Sequence, residues 1–157
     1  MKKAISLILV LVLCLSLASC GKEATLKDLT GCPRAPLQET EKFLKKAGME
    51  ITIVTDEYVA FNYGNWSGNA SATGISIDIS NITARDVFDQ EVEAMQKEVD
   101  ALCGEPYASH DSSGMPGMEM SNVTAFYRYD GGIIATSTFN SSFSKSFTVV
   151  IYPGAGE

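Results

Sequence analysis

Gly74-Ile75-Ser76-Ile77-Asp78-Ile79-Ser80 alternates isoleucine with serine or aspartate. Successive side chains of a strand point to opposite faces. The pattern therefore buries Ile75, Ile77 and Ile79 and leaves Ser76, Asp78 and Ser80 in solvent. A strand with one apolar face belongs to an antiparallel sheet that is covered on one side only.

The cover follows directly. Over residues 84–103, Phe88, Val92, Met95, Val99 and Leu102 recur at intervals of four and three, one apolar stripe of a helix. The other side carries Asp89, Glu91, Glu93, Lys97, Glu98 and Asp100, a solvated face. Thr83 with Asp86 approximates a capping box, Ile82 with Val87 a hydrophobic staple, and Gly104 with Pro106 ends the helix. A second amphipathic helix is expected over 36–47. It has Pro36 in the first turn, acids early, Lys45 and Lys46 late, and Gly48 as cap.

The remaining strands surround these elements. Residues 50–55 and 58–63 form a hairpin across Asp56-Glu57. Residues 64–71, rich in glycine, asparagine and serine, read as a loop, and 105–120 as the longest irregular segment. Strands are expected at 121–129, 133–139 and 146–152, with Asp130-Gly131-Gly132 a strong hairpin turn. The expected fold is α+β, a two-layer sandwich. An antiparallel sheet of about six strands carries two amphipathic helices on one face, in the order α-β-β-β-α-β-β-β. This element order resembles that of β-lactamase-inhibitor-like domains, small extracytoplasmic modules that bind partners through a concave sheet. The resemblance implies a binding role and extends to no motif.

The N-terminus is of another kind. Lys2 and Lys3 precede an apolar run from Ala4 to Leu17, too short for a spanning helix, which needs about 20 residues. Leu17-Ala18-Ser19-Cys20 then resembles the lipobox of bacterial lipoproteins. The resemblance implies removal of residues 1–19 and acylation of Cys20. The membrane is then a partner through the lipid, and the domain lies on the extracytoplasmic side of the cell membrane. Residues 20–31 are expected to be a polar tether, and 32–157 a single domain.

Loss of Lys2 and Lys3 leaves 10 basic against 19 acidic residues, a net charge of −9. Such a surface argues against nucleic acid and against lying flat on an anionic membrane. The single histidine, His110, excludes a multi-histidine metal centre. Cys14 is lost with the leader, so Cys32 and Cys103 either pair as a disulfide or remain separate thiols.

Three groups of residues carry possible chemistry. Tyr63, Asn65 and Trp66 are able to stack on and hydrogen-bond a sugar or peptide, or else Trp66 closes the core. His110 with Met115, Met118 and Met120 offers soft ligands suited to copper, or else these methionines pack on the sheet. His110-Asp111-Ser112-Ser113 holds the residue types of a small hydrolase without a nucleophile elbow. The leading expectation is a lipid-anchored binding domain without catalysis and without a cofactor. Its partner would be an envelope protein, a peptide or a glycan.

Overall fold

The computed structural model describes residues 25–79, 85–113, 120–141 and 143–154. Three helices are present among them: α1 (Leu26–Thr30), α2 (Leu37–Lys46) and α3 (Arg85–Cys103). The strands are β1 (Glu50–Val54), β2 (Tyr58–Tyr63), β3 (Trp66–Ser71) and β4 (Gly74–Ile79), then β5 (Ala108–Ser113), β6 (Met120–Tyr129), β7 (Gly132–Ser141) and β8 (Lys145–Pro153). They form one eight-stranded sheet in the order β1-β2-β3-β4-β8-β7-β6-β5, and every neighbouring pair is antiparallel. The fold is α+β with the sheet dominant.

Each half is a four-stranded meander that ends on its inner strand. The two inner strands, β4 and β8, pair at the centre. The register brings the apolar positions into rows across the sheet. Phe61 lies opposite Gly68, Gly68 opposite Ile77, Ile77 opposite Val149, and Val149 opposite Thr136. A parallel row runs Val59, Ala70, Ile75, Ile151, Ile134. These rows face the helices and form the core with Leu44, Phe88, Met95 and Val99. None of the described helices is long and apolar enough to cross a membrane.

Two strands lie where the sequence suggests loops, which raises the count from six to eight. In β3 the glycine and asparagine content conceals an alternation. Trp66, Gly68 and Ala70 point inward, and Ser67 and Asn69 outward. Gly64-Asn65 is a two-residue hairpin turn with Gly64 at φ 58°, the left-handed first position that favours glycine. Gly68 is there because the Phe61 ring lies across it. A Cβ would meet that ring at 2.3 Å. The other added strand, β5, is an edge strand, polar on both faces, so no hydrophobic period announces it.

The tether is also shorter than expected. Residues 26–30 form α1, with Leu26 and Leu29 fully buried, so the folded domain begins six residues before residue 32. The Asp28 carboxylate accepts the Thr25 backbone N–H at 2.8 Å, and the Leu26 N–H donates to Glu98 Oε2 on α3 at 2.7 Å. These contacts close the orphan donors of a one-turn helix. Pro36 stands just outside α2, as its N-cap. Thr83, with the cap and staple expected around it, falls outside the described residues.

The Cys32–Cys103 bridge is not formed: both are free thiols. Cys32 is buried and turns its Sγ to the Pro33 carbonyl at 3.7 Å, while Cys103 is half-buried.

Leu29→Ala tests the revised boundary. Removing a fully buried leucine is expected to cost about 2–5 kcal/mol in urea unfolding, against no change if residues 26–30 were a solvated tether.

Candidate functional site

The helices cover one face of the sheet. The opposite face, turned to solvent, is where the geometry gathers functional groups. Its central row holds Asn62, Ser67, Asp78, Thr148, Ser137 and Thr124, each opposite the next in register. The Thr148 hydroxyl donates to Asp78 Oδ1, and Ser137 Oγ donates to Asn122 Oδ1 at 3.0 Å. These bonds fix a carpet of short polar side chains.

One end of this face is hollow. A cleft of about 360 Å³ lies between Tyr58 on β2 and Tyr152 on β8. The two strands are three sheet spacings apart, about 14 Å. The floor between them is formed by Asn69, Ser71, Gly74, Ser76 and Val150, with Glu57 beside Tyr58. Gly74 is required at that point. A Cβ would stand 2.5 Å from the Ile151 carbonyl oxygen and 3.6 Å from Tyr152 Cδ1. Ser71 Oγ lies 3.0 Å from Thr73 Oγ1, which holds two hydroxyls at the mouth. Among the described residues, no lysine, arginine or histidine lines the cleft.

Further along the same face, Arg128 lies 4.7 Å from the centre of the Tyr107 ring, with Phe126 beside it. Tyr107 is half exposed, so this cluster forms a second aromatic station outside the cleft.

The residues singled out from the sequence fall elsewhere. Trp66 is 4% exposed and meets Phe147 edge-on at 6.1 Å. Its indole N–H donates to Glu91 Oε2 at 3.0 Å, and Asn65 Nδ2 donates to Glu91 Oε1 at 2.7 Å. Trp66 therefore closes the core, and Asn65 pins the β2–β3 turn to α3. Tyr63 is buried on the same side, with its hydroxyl 3.5 Å from Glu98 Oε2. These three therefore lie on the helix side of the sheet, away from its open face, with Tyr63 and Trp66 buried and Asn65 exposed. Two of the acids on the expected solvent face of α3, Glu91 and Glu98, are structural acceptors. Tyr127 and Tyr129 also face the helices.

Of the soft-metal set, His110 and Met120 lie among the described residues, on neighbouring strands but not opposite one another. His110 on β5 lies opposite Thr124, while Met120 begins β6 four residues away, about 13 Å along the strand. Met115 and Met118 lie outside the described residues, as does Cys20. Among the described residues no group of three or more histidine, cysteine or acidic side chains is placed to hold a metal ion. The hydrolase set is divided between the two faces of β5. His110 and Ser112 share one face of β5, Asp111 takes the other, and Ser112 Oγ donates to the Asn122 carbonyl at 3.3 Å.

The cleft residues Tyr58, Tyr152, Asn69 and Ser76 carry no sequence motif. Only the register reveals that they adjoin. Comparison with family models, with curated proteins and with solved structures finds no match for the chain.

The thiols have unequal environments. Burial pushes Cys32 up to about 11; burial and the Asp100 carboxylate raise Cys103. An unfolded thiol ionises near its ordinary value of 9.0, before the folded Cys32 does. Cys32 thus lowers stability as pH rises from about 9 toward 11. Urea midpoints measured across that range should fall more steeply for the native chain than for Cys32→Ala. Parallel slopes would contradict the burial.

Trp66→Ala should cost about 3–5 kcal/mol, read as a lowered unfolding midpoint. A change under about 0.5 kcal/mol, typical of surface positions, would return the indole to the surface.

Proposed function

We propose that the chain is a lipid-anchored extracytoplasmic binding module. It engages its ligand with the open face of the sheet and performs no chemistry of its own. The observation that carries this reading is the bare face itself. Across the two half-sheets it is surfaced with hydroxyls, amides and tyrosines, and it is indented at Tyr58–Tyr152.

The anchor orients this face. If Cys20 carries the lipid, five residue steps separate it from Thr25, at most about 17 Å of extended chain. Helix α1 follows at once and is fastened to α3 by Leu26, Leu29 and the Glu98 bond. The lipid therefore leaves from the helix layer, and the open sheet face turns away from the bilayer. The reach of the tether exceeds the Debye length of about 8 Å, so the acidic domain stands clear of anionic headgroups.

Two measurements test this. Cys20→Ser should abolish acyl labelling and move the protein out of the membrane fraction. Photo-crosslinkers at Ser137 or Thr148 should give adducts in intact cells, whereas one at Glu93, on α3, should not. Equal adducts from both faces, or none from either, would defeat the assignment of the binding face.

A further inference from the structure

We infer that the cleft between Tyr58 and Tyr152 is a subsite for an uncharged saccharide of one or two rings. This deepens the binding role proposed above and rests on it.

The chemistry of the recess selects the ligand. It lies on the face of the sheet, where every backbone N–H and C=O of β3 and β4 is already engaged in a ladder on both sides. A peptide cannot add a strand there, so recognition falls to side chains alone. Those side chains are two phenols, the amide of Asn69, the hydroxyls of Ser71, Thr73 and Ser76, and one carboxylate, Glu57. A buried protein anchor needs a deep apolar socket, and the only aliphatic side chain in the floor is Val150. Phosphates and carboxylate ligands need cations, and the lining has none. A sugar ring presents what remains: a flat C–H face for an aromatic ring and a rim of hydroxyls for amide, hydroxyl and carboxylate partners.

The dimensions agree. About 360 Å³ is at the lower end for small-molecule sites. Tyr152 lies beside Gly74, with its Cδ1 only 3.6 Å from where a Cβ would be, so its ring forms a wall at that side of the floor. Tyr58 closes the far side three strands away. The recess is open on its solvent side, which suits the end or an internal unit of a glycan as well as a free disaccharide.

Saturation-transfer NMR on the full chain in phospholipid nanodiscs tests this, with maltose, cellobiose and N,N′-diacetylchitobiose as probes and glucose 6-phosphate as the anionic control. At least one neutral disaccharide should receive saturation, and the phosphate should receive less. Tyr152→Ala should weaken binding by about tenfold or more. Ser76→Trp, which fills the floor without touching the core, should abolish it. Lys97→Ala, on the exposed side of α3, should leave it unchanged. No transfer to any neutral disaccharide from folded protein overturns the inference, as does transfer that survives both cleft variants or favours the phosphate. Open-face adducts that persist without saccharide binding would remove the sugar and keep the binding face; loss of both would remove both.

Discussion

The pairing of β4 with β8 holds the molecule together. Ile75, Ile77 and Ile79 stand opposite Ile151, Val149 and Phe147, and all six are nearly or fully buried. Each half-sheet alone is a four-stranded meander with an open inner edge. Joined, the two inner edges satisfy one another, and among the described residues the edges left are β1 and β5. The helix layer spans the result. Gln96 on α3 donates to the Tyr127 hydroxyl in the second half at 2.8 Å, while Glu91 holds the β2–β3 turn in the first. The continuity of the open face, and so of any surface on it, is a consequence of that seam.

Much of the fold is legible because it depends on local period. The Ile75–Ile79 alternation, the stripe from Phe88 to Leu102 and the Asp130-Gly131 turn each carry their meaning within a few residues. What is not legible depends on partners distant in the chain. Gly68 reads as a turn former until Phe61 is placed across it. Leu26 and Leu29 are too few to announce a helix, and only their burial beneath α3 reveals one. Edge strand β5 carries no apolar face, and its side chains from Ala108 to Ser112 are exposed.

The candidate site shows the same division more sharply. The attention that Trp66 draws is warranted by its size, but size favours burial as readily as binding. Its N–H found an acceptor in Glu91, an acid that helical spacing assigns to solvent. Conversely, Tyr58 and Tyr152 are separated by most of the chain, and neither lies in a distinctive stretch. They become neighbours only because β8 enters the sheet next to β4. A recess assembled by strand order leaves no mark in a linear reading.

The position of β8 also bears on when the chain is able to fold. The last strand in the sequence occupies the middle of the sheet, between β4 and β7. Until residues 145–153 have emerged, β4 is unpaired on one side, and Ile75, Ile77 and Ile79 lack Ile151, Val149 and Phe147 opposite them. Contacts this distant in sequence close slowly, because loop entropy is lost before pairing compensates for it. A growing chain therefore lacks its central pairing until β8 has emerged.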